Sequence, residues 1–121
     1  MRFMMIYKPA DTKDMEAGVP PTQKEMEDMG QFIGEMAAAG VLLMADGLLP
    51  TSTGARVRQS GGKVTATDGP FTEAKELIAG FAICQVKSKA EAVEWAKRFL
   101  KIAGDGESEI RQMYDAPAFS A

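Results

Sequence analysis

The chain contains no histidine and a single cysteine, Cys84. Without histidine there is no Ser-His-Asp triad, no Cys-His dyad and no imidazole ligand for zinc or haem. One cysteine excludes an internal disulfide, a CxxC redox pair and a cysteine-ligated iron–sulfur cluster. Long apolar runs are missing as well: the N-terminal run from Phe3 to Tyr7 is too short for a signal peptide or a membrane span. No basic block offsets a net charge of -3 and a pI near 5.0, which argues against nucleic-acid binding. There is no D-x-D-x-D-G loop and no G-x-G-x-x-G, so neither a metal nor a nucleotide cofactor is expected. Large branched and aromatic core formers are scarce too, with Leu, Ile, Val and Phe making only 24 of 121 residues. Nine Met and many Ala raise the hydrophobic fraction to 45%, enough for one folded domain with a modest core. The lone Cys and the Met content suit a reducing compartment, so the expected location is cytoplasmic, with no membrane partner.

Local patterns order the chain. Residues 2–7 are apolar on both alternating faces, the pattern of a central strand. Residues 8–21, with Gly18, Pro20 and Pro21, read as a long loop. Thr22 and Glu25 make a capping box, after which Met26, Met29, Ile33, Met36 and Ala37 recur at helical spacing up to Gly40. Residues 41–45 read as a buried strand that Asp46-Gly47 breaks or bulges. The stretches 55–60 and 63–68 flank Gly61-Gly62 as a two-residue hairpin, in which Ser60 faces Lys63, Arg58 faces Thr65 and Arg56 faces Thr67. Residues 77–86 form the longest apolar strand. Ser88 and Glu91 open a second helix, with Val93, Ala96, Phe99, Leu100 and Ala103 on one side and Gly104 at its end. Residues 107–115 form a last strand, and 116–121 a tail beyond the domain at 1–115. This order predicts an α+β, ferredoxin-like βαβ-(hairpin)-βαβ sandwich. Both helices cover one sheet face, and a second copy of the chain is the expected cover for the other.

The run Asp68-Gly69-Pro70-Phe71-Thr72-Glu73-Ala74-Lys75-Glu76 resembles the signature of the DGPF-domain, or YCII-related, family. Residues 45–48, 54–58, 77–81 and 92–96 extend the resemblance over residues 2–115. It implies a subunit that pairs into a dimeric α/β barrel. Related branches include a dehydrochlorinase of aromatic breakdown built on a His-Asp pair, a mechanism that a chain without histidine cannot share.

The candidate site residues gather around this signature. Asp68 ends a hairpin strand, where a carboxylate serves either as turn cap or as proton acceptor. Glu73, Lys75 and Glu76 are either a solvated face or a set in which Lys75 meets a substrate carboxylate. Arg56 and Arg58 share one hairpin face and suit an anionic ligand if that face lines a cleft. Lys8 and Asp46 follow apolar strands, a common place for ligand contacts. Cys84 reads as a buried, inert thiol. The reading these features favour is a homodimeric module that binds a small molecule in a cleft near the DGPF turn. There Asp68 is expected to be partly buried, with Lys75 or Arg56 in reach and loop 8–21 closing over. The alternative is a metal-free isomerase, lyase or hydrolase acting on a small aromatic or acidic substrate, with Asp68 as acid/base and Lys75 and Arg56 stabilising charge.

Overall fold

The computed structural model describes residues 1–115; the tail at 116–121 lies outside the described residues. The elements run β1 (Arg2–Pro9), α1 (Lys13–Glu16), α2 (Gln23–Ala38), β2 (Leu42–Gly47), β3 (Ala55–Ser60), β4 (Lys63–Asp68), β5 (Gly80–Gln85), α3 (Lys89–Ala103) and β6 (Gly106–Gln112). The main sheet has strand order β2-β5-β1-β6 with every neighbouring pair antiparallel. That is the expected ferredoxin-like α+β arrangement, with β1 central because both of its faces are apolar.

Side chains alternate across the sheet and so sort into two faces. Phe3, Met5 and Cys84 pack beneath Phe32 and Met36 of α2 and Ala92 and Ala96 of α3, forming the core. The opposite face carries Met4, Ile6, Phe81 and Ile83, which are half-buried, and the exposed Met44.

The capping box of α2 forms as its spacing predicts: the Thr22 hydroxyl accepts from Glu25 N–H (3.1 Å) and Thr22 N–H donates to the Glu25 carboxylate (3.0 Å). At α3 only half of the box closes. Ser88 accepts from Glu91 N–H (3.2 Å), but the Glu91 carboxylate reaches back to Lys87 N–H (2.9 Å).

Several expectations need correction. The buried stripe of α2 is turned from the expected one: Phe32 and Met36 are buried, whereas Met26 is 55% exposed. The bulky Phe32 ring wins the core position, and the flexible Met26 is left at the exposed first turn. On α3 the fully buried positions are Ala92 and Ala96, small residues that let the helix approach the sheet. The 41–45 segment is no buried strand. β2 is an edge strand with a bulge at Leu43, and it runs on through Asp46-Gly47 because Gly47 pairs with Gly80. β5 starts only at Gly80, after a 3-10 turn at Ala74–Glu76; Ala79 N–H donates to the Tyr7 carbonyl (2.9 Å) outside the ladder register, in which Tyr7 faces Gly80. β6 ends at Gln112 rather than 115. The 8–21 segment is not all loop: β1 runs to Pro9 and α1 occupies Lys13–Glu16.

The β3–β4 ribbon forms in the expected register, with Arg56 opposite Thr67 and Arg58 opposite Thr65. Gly61 and Gly62 both take positive φ (57° and 81°), as a tight hairpin turn between twisted strands requires. The ribbon is a separate two-stranded sheet. Val57 and Val64 on it stay 69% and 60% exposed.

Candidate functional site

The turn after β4 is held by backbone and hydroxyl contacts. Gly69 N–H donates to the Gly54 carbonyl (2.9 Å), and the Gly69–Pro70 peptide is cis. Phe71 N–H donates to the Thr51 hydroxyl oxygen (3.0 Å). That hydroxyl donates to the Glu16 carboxylate, which also accepts from Thr51 N–H (3.0 Å). These Thr51 bonds hold the Glu16 carboxyl below the ordinary carboxylate range. A Cβ on Gly69 would stand 1.8 Å from the Thr51 carbonyl oxygen, so only glycine fits. Helix α1, the 3-10 turn at Thr51–Thr53 and the DGPF turn are thereby tied together.

The expected charge cluster around Asp68 does not form. Asp68 is exposed, and its carboxylate has no hydrogen-bond or ion-pair partner among the described residues. Arg56 instead lies over the Phe71 ring at 4.0 Å and pairs with Glu73 (3.3 Å) and Glu76 (3.8 Å). Register is the reason: Asp68 opposes Ala55 while Arg56 opposes Thr67, so the two side chains leave opposite faces of the ribbon. The Arg56 bond holds the Glu73 carboxyl down. Arg58 and Lys75 are exposed and make no ion pair among the described residues.

Lys8 lies on the sheet face away from the helices. Its ammonium pairs with Glu109 (3.0 Å), which also meets Arg111 (3.5 Å). The Glu109 bond raises the Lys8 pKa and lowers that of Glu109. Lys8 is therefore committed within its own chain. Asp46, opposite Phe81 on β2, shares that face by strand alternation and is exposed.

A cavity of about 290 Å³ lies between the other sheet face and the helices. Its floor is Ala45, Gly47, Gly80 and Ala82, and its roof is Phe32, Trp95 and Phe99, with Met29, Ile33 and Met36 beside them. The space exists because the floor residues have little or no side chain to fill it. The roof is fixed by aromatic packing: Phe32 to Trp95 at 5.9 Å, Phe32 to Phe99 at 6.4 Å and Tyr7 edge-on to Phe99 at 5.1 Å between centroids. Tyr7 and Ser108 are the hydroxyl-bearing residues of the lining, and the Tyr7 hydroxyl reaches toward the carbonyls of Ala103 and Asp105. Burial raises the Tyr7 pKa, followed by the charge of Asp105, so the phenol stays neutral at physiological pH.

Of the residues expected at a site, only Asp46 lies along this cavity, as part of the β2 stretch 45–47. Asp68, Lys8, Arg56, Arg58, Glu73 and Lys75 line neither this cavity nor the more open groove of about 400 Å³ between Asp28 and Arg98 on the outer helix surface. At the DGPF turn the structure shows contacts among the turn, Thr51 and Glu16. Loop 8–21 is pinned through Glu16, and none of its residues lines either of these two cavities. The overlooked signal was the small residues Ala45, Gly47, Gly80 and Ala82, set at strand spacing against aromatic positions on two helices. Cys84 is buried, and burial raises its pKa, as an inert thiol requires. Among the described residues, no three acidic or cysteine side chains converge as metal ligands, and no helix is long and apolar enough to cross a membrane.

Comparison with known proteins agrees with this architecture. An uncharacterised protein of Rhizobium meliloti (strain 1021) is 33% identical over 75 residues, which cover 62% of this chain and 60% of that protein. The match therefore spans less than two-thirds of that relative. The solved structure of 5-chloro-2-hydroxyhydroquinone dehydrochlorinase from Burkholderia phenoliruptrix AC1100, in complex with 2,5-dihydroxybenzoquinone, aligns over 96% of both chains with a TM-score of 0.53 at 12% identity. At that identity the likeness is one of fold. The YCII-related domain matches residues 1–115, the whole described chain, and the chain belongs to that family.

Proposed function

We propose that the protein is a homodimeric module that binds a small, single-ring molecule in the cavity between the sheet and the helices. The observation that carries this is the pairing of an Ala/Gly floor with a fixed aromatic roof around about 290 Å³. Dry apolar cavities of about 150 Å³ already accept benzene, so this one has room for a substituted ring. The quinone in the dehydrochlorinase complex is a ring of that size class, which supports the choice. The DGPF turn acts as architecture, since Asp68 is solvent-exposed and turned away from Arg56. A second copy covers the face bearing Met4, Ile6, Phe81 and Ile83, as both helices already occupy the other.

Titration calorimetry with toluene and 4-methylphenol tests the cavity. Both are expected to bind. Ala82→Leu, which fills the floor, is expected to abolish binding while circular dichroism stays native. Unchanged binding in Ala82→Leu would place the ligand elsewhere. Light scattering tests the dimer; a dilution-stable species of 13.0 kDa would refute it.

A further inference from the structure

We propose that the cavity selects uncharged rings bearing a hydroxyl or carbonyl group, and that Tyr7 and Ser108 bind that group; this rests on the cavity being the ligand site. Tyr7 of β1 and Ser108 of β6 oppose each other in register, and both line the cavity. Each is a neutral hydroxyl able to donate and to accept. Neither is committed to a good internal bond. The Tyr7 hydroxyl stands 3.5 Å from the Ala103 carbonyl and 3.4 Å from that of Asp105. A normal O–H···O bond measures about 2.7–2.8 Å. Ser108 makes no side-chain hydrogen bond among the described residues.

The sign of charge follows from what surrounds the pair. Among the described residues no Lys or Arg lines the cavity, and Asp46, the one acidic residue along it, turns its side chain to the opposite sheet face. The nearest cation on β1, Lys8, sits on the opposite face and is bound to Glu109. A carboxylate entering the cavity would lose its hydration and find no counter-charge. A neutral ring meets no such cost. It packs against Phe32 and Trp95 and presents its polar end to Tyr7 and Ser108.

Toluene, 4-methylphenol and 4-methylbenzoate, titrated into wild type and Tyr7→Phe/Ser108→Ala, test this. In wild type, 4-methylbenzoate is expected to bind at least about tenfold more weakly than 4-methylphenol. The double variant is expected to lose about three- to tenfold in 4-methylphenol affinity relative to toluene, the size of one neutral hydrogen bond. Toluene, which offers no polar group, should be unaffected. Should the double variant fail to fold, Tyr7→Phe alone, which keeps the ring against Phe99, is expected to shift the ratio in the same direction. Equal binding of the benzoate, an unchanged phenol-to-toluene ratio, or equal loss of both probes would overturn the proposal. If neither toluene nor 4-methylphenol binds the wild type, the cavity assignment itself fails, and this inference with it.

Discussion

In the β3–β4 ribbon every residue except Arg56 is exposed, and Arg56 is held by neighbours from its own region, Phe71, Glu73 and Glu76. In the sandwich, the walls of the cavity are mostly apolar, and among the described residues no Lys or Arg lines it. The ribbon and its turn hold the distinctive sequence signature and most of the charged candidates. The sandwich holds the enclosed space. A recognisable motif and a cavity are separate things: in Asp68-Gly69-Pro70-Phe71 the glycine passes close to the Thr51 carbonyl and the phenylalanine meets Arg56. The cavity is bounded instead by residues as plain as alanine and glycine.

The largest expected effect separates the two regions by stability. Phe32→Ala should cost about 3–5 kcal/mol in urea unfolding, because it removes a buried ring from the roof. Val57→Ala or Val64→Ala should stay within about 0.5 kcal/mol. A ribbon substitution as costly as Phe32→Ala would mean that the ribbon is packed, and the contrast would fail.

Gly69→Ala comes next, at about 1–3 kcal/mol, because the added methyl collides with backbone. Amide exchange should quicken in β3, β4 and the Thr51–Thr53 turn, with β1 and β5 left as they were. Uniform acceleration would show the turn to be part of the main cooperative unit.

A smaller effect concerns pH. The folded pKa of Glu16 is lowered, so its link to Thr51 contributes fully above the ordinary value of 4.5 and is lost as pH falls through the folded pKa. The amide signals of Thr51 and Phe71 should therefore shift below pH 4.5. Glu16→Gln should remove that acid response at Thr51 while leaving the Glu109 transition beside Lys8 in place. An unchanged response would place the titrating group elsewhere.

The smallest effect is expected for Asp68→Asn: a stability change within about 0.5 kcal/mol and unchanged 4-methylphenol affinity. A clear loss of affinity would return the site to the DGPF turn and reverse the comparison.

Much of the fold was legible in residue patterns. The double-sided apolar run at 2–7, the Thr22–Glu25 box and the Gly61-Gly62 turn each act over a few residues, and each appears in its expected place. The register of the ribbon also contained the reason that Asp68 and Arg56 stand apart, because Arg56 facing Thr67 already puts Asp68 on the other face. The site was less legible. Charged residues draw attention in a sequence, whereas Ala45, Gly47, Gly80 and Ala82 matter only for volume they do not occupy.

The sequence by itself determined most of the elements, the ferredoxin-like class they favour and the chemistry that no histidine and one cysteine exclude, since these depend on local pattern and on composition. Only the tertiary structure decided that β2 is an edge strand, that the ribbon stands apart, and that the enclosed space lies under Phe32 and Trp95. A cavity is a difference between the volume that distant elements enclose and the volume their side chains fill, and that difference exists only once β2, β5, α2 and α3 are packed together.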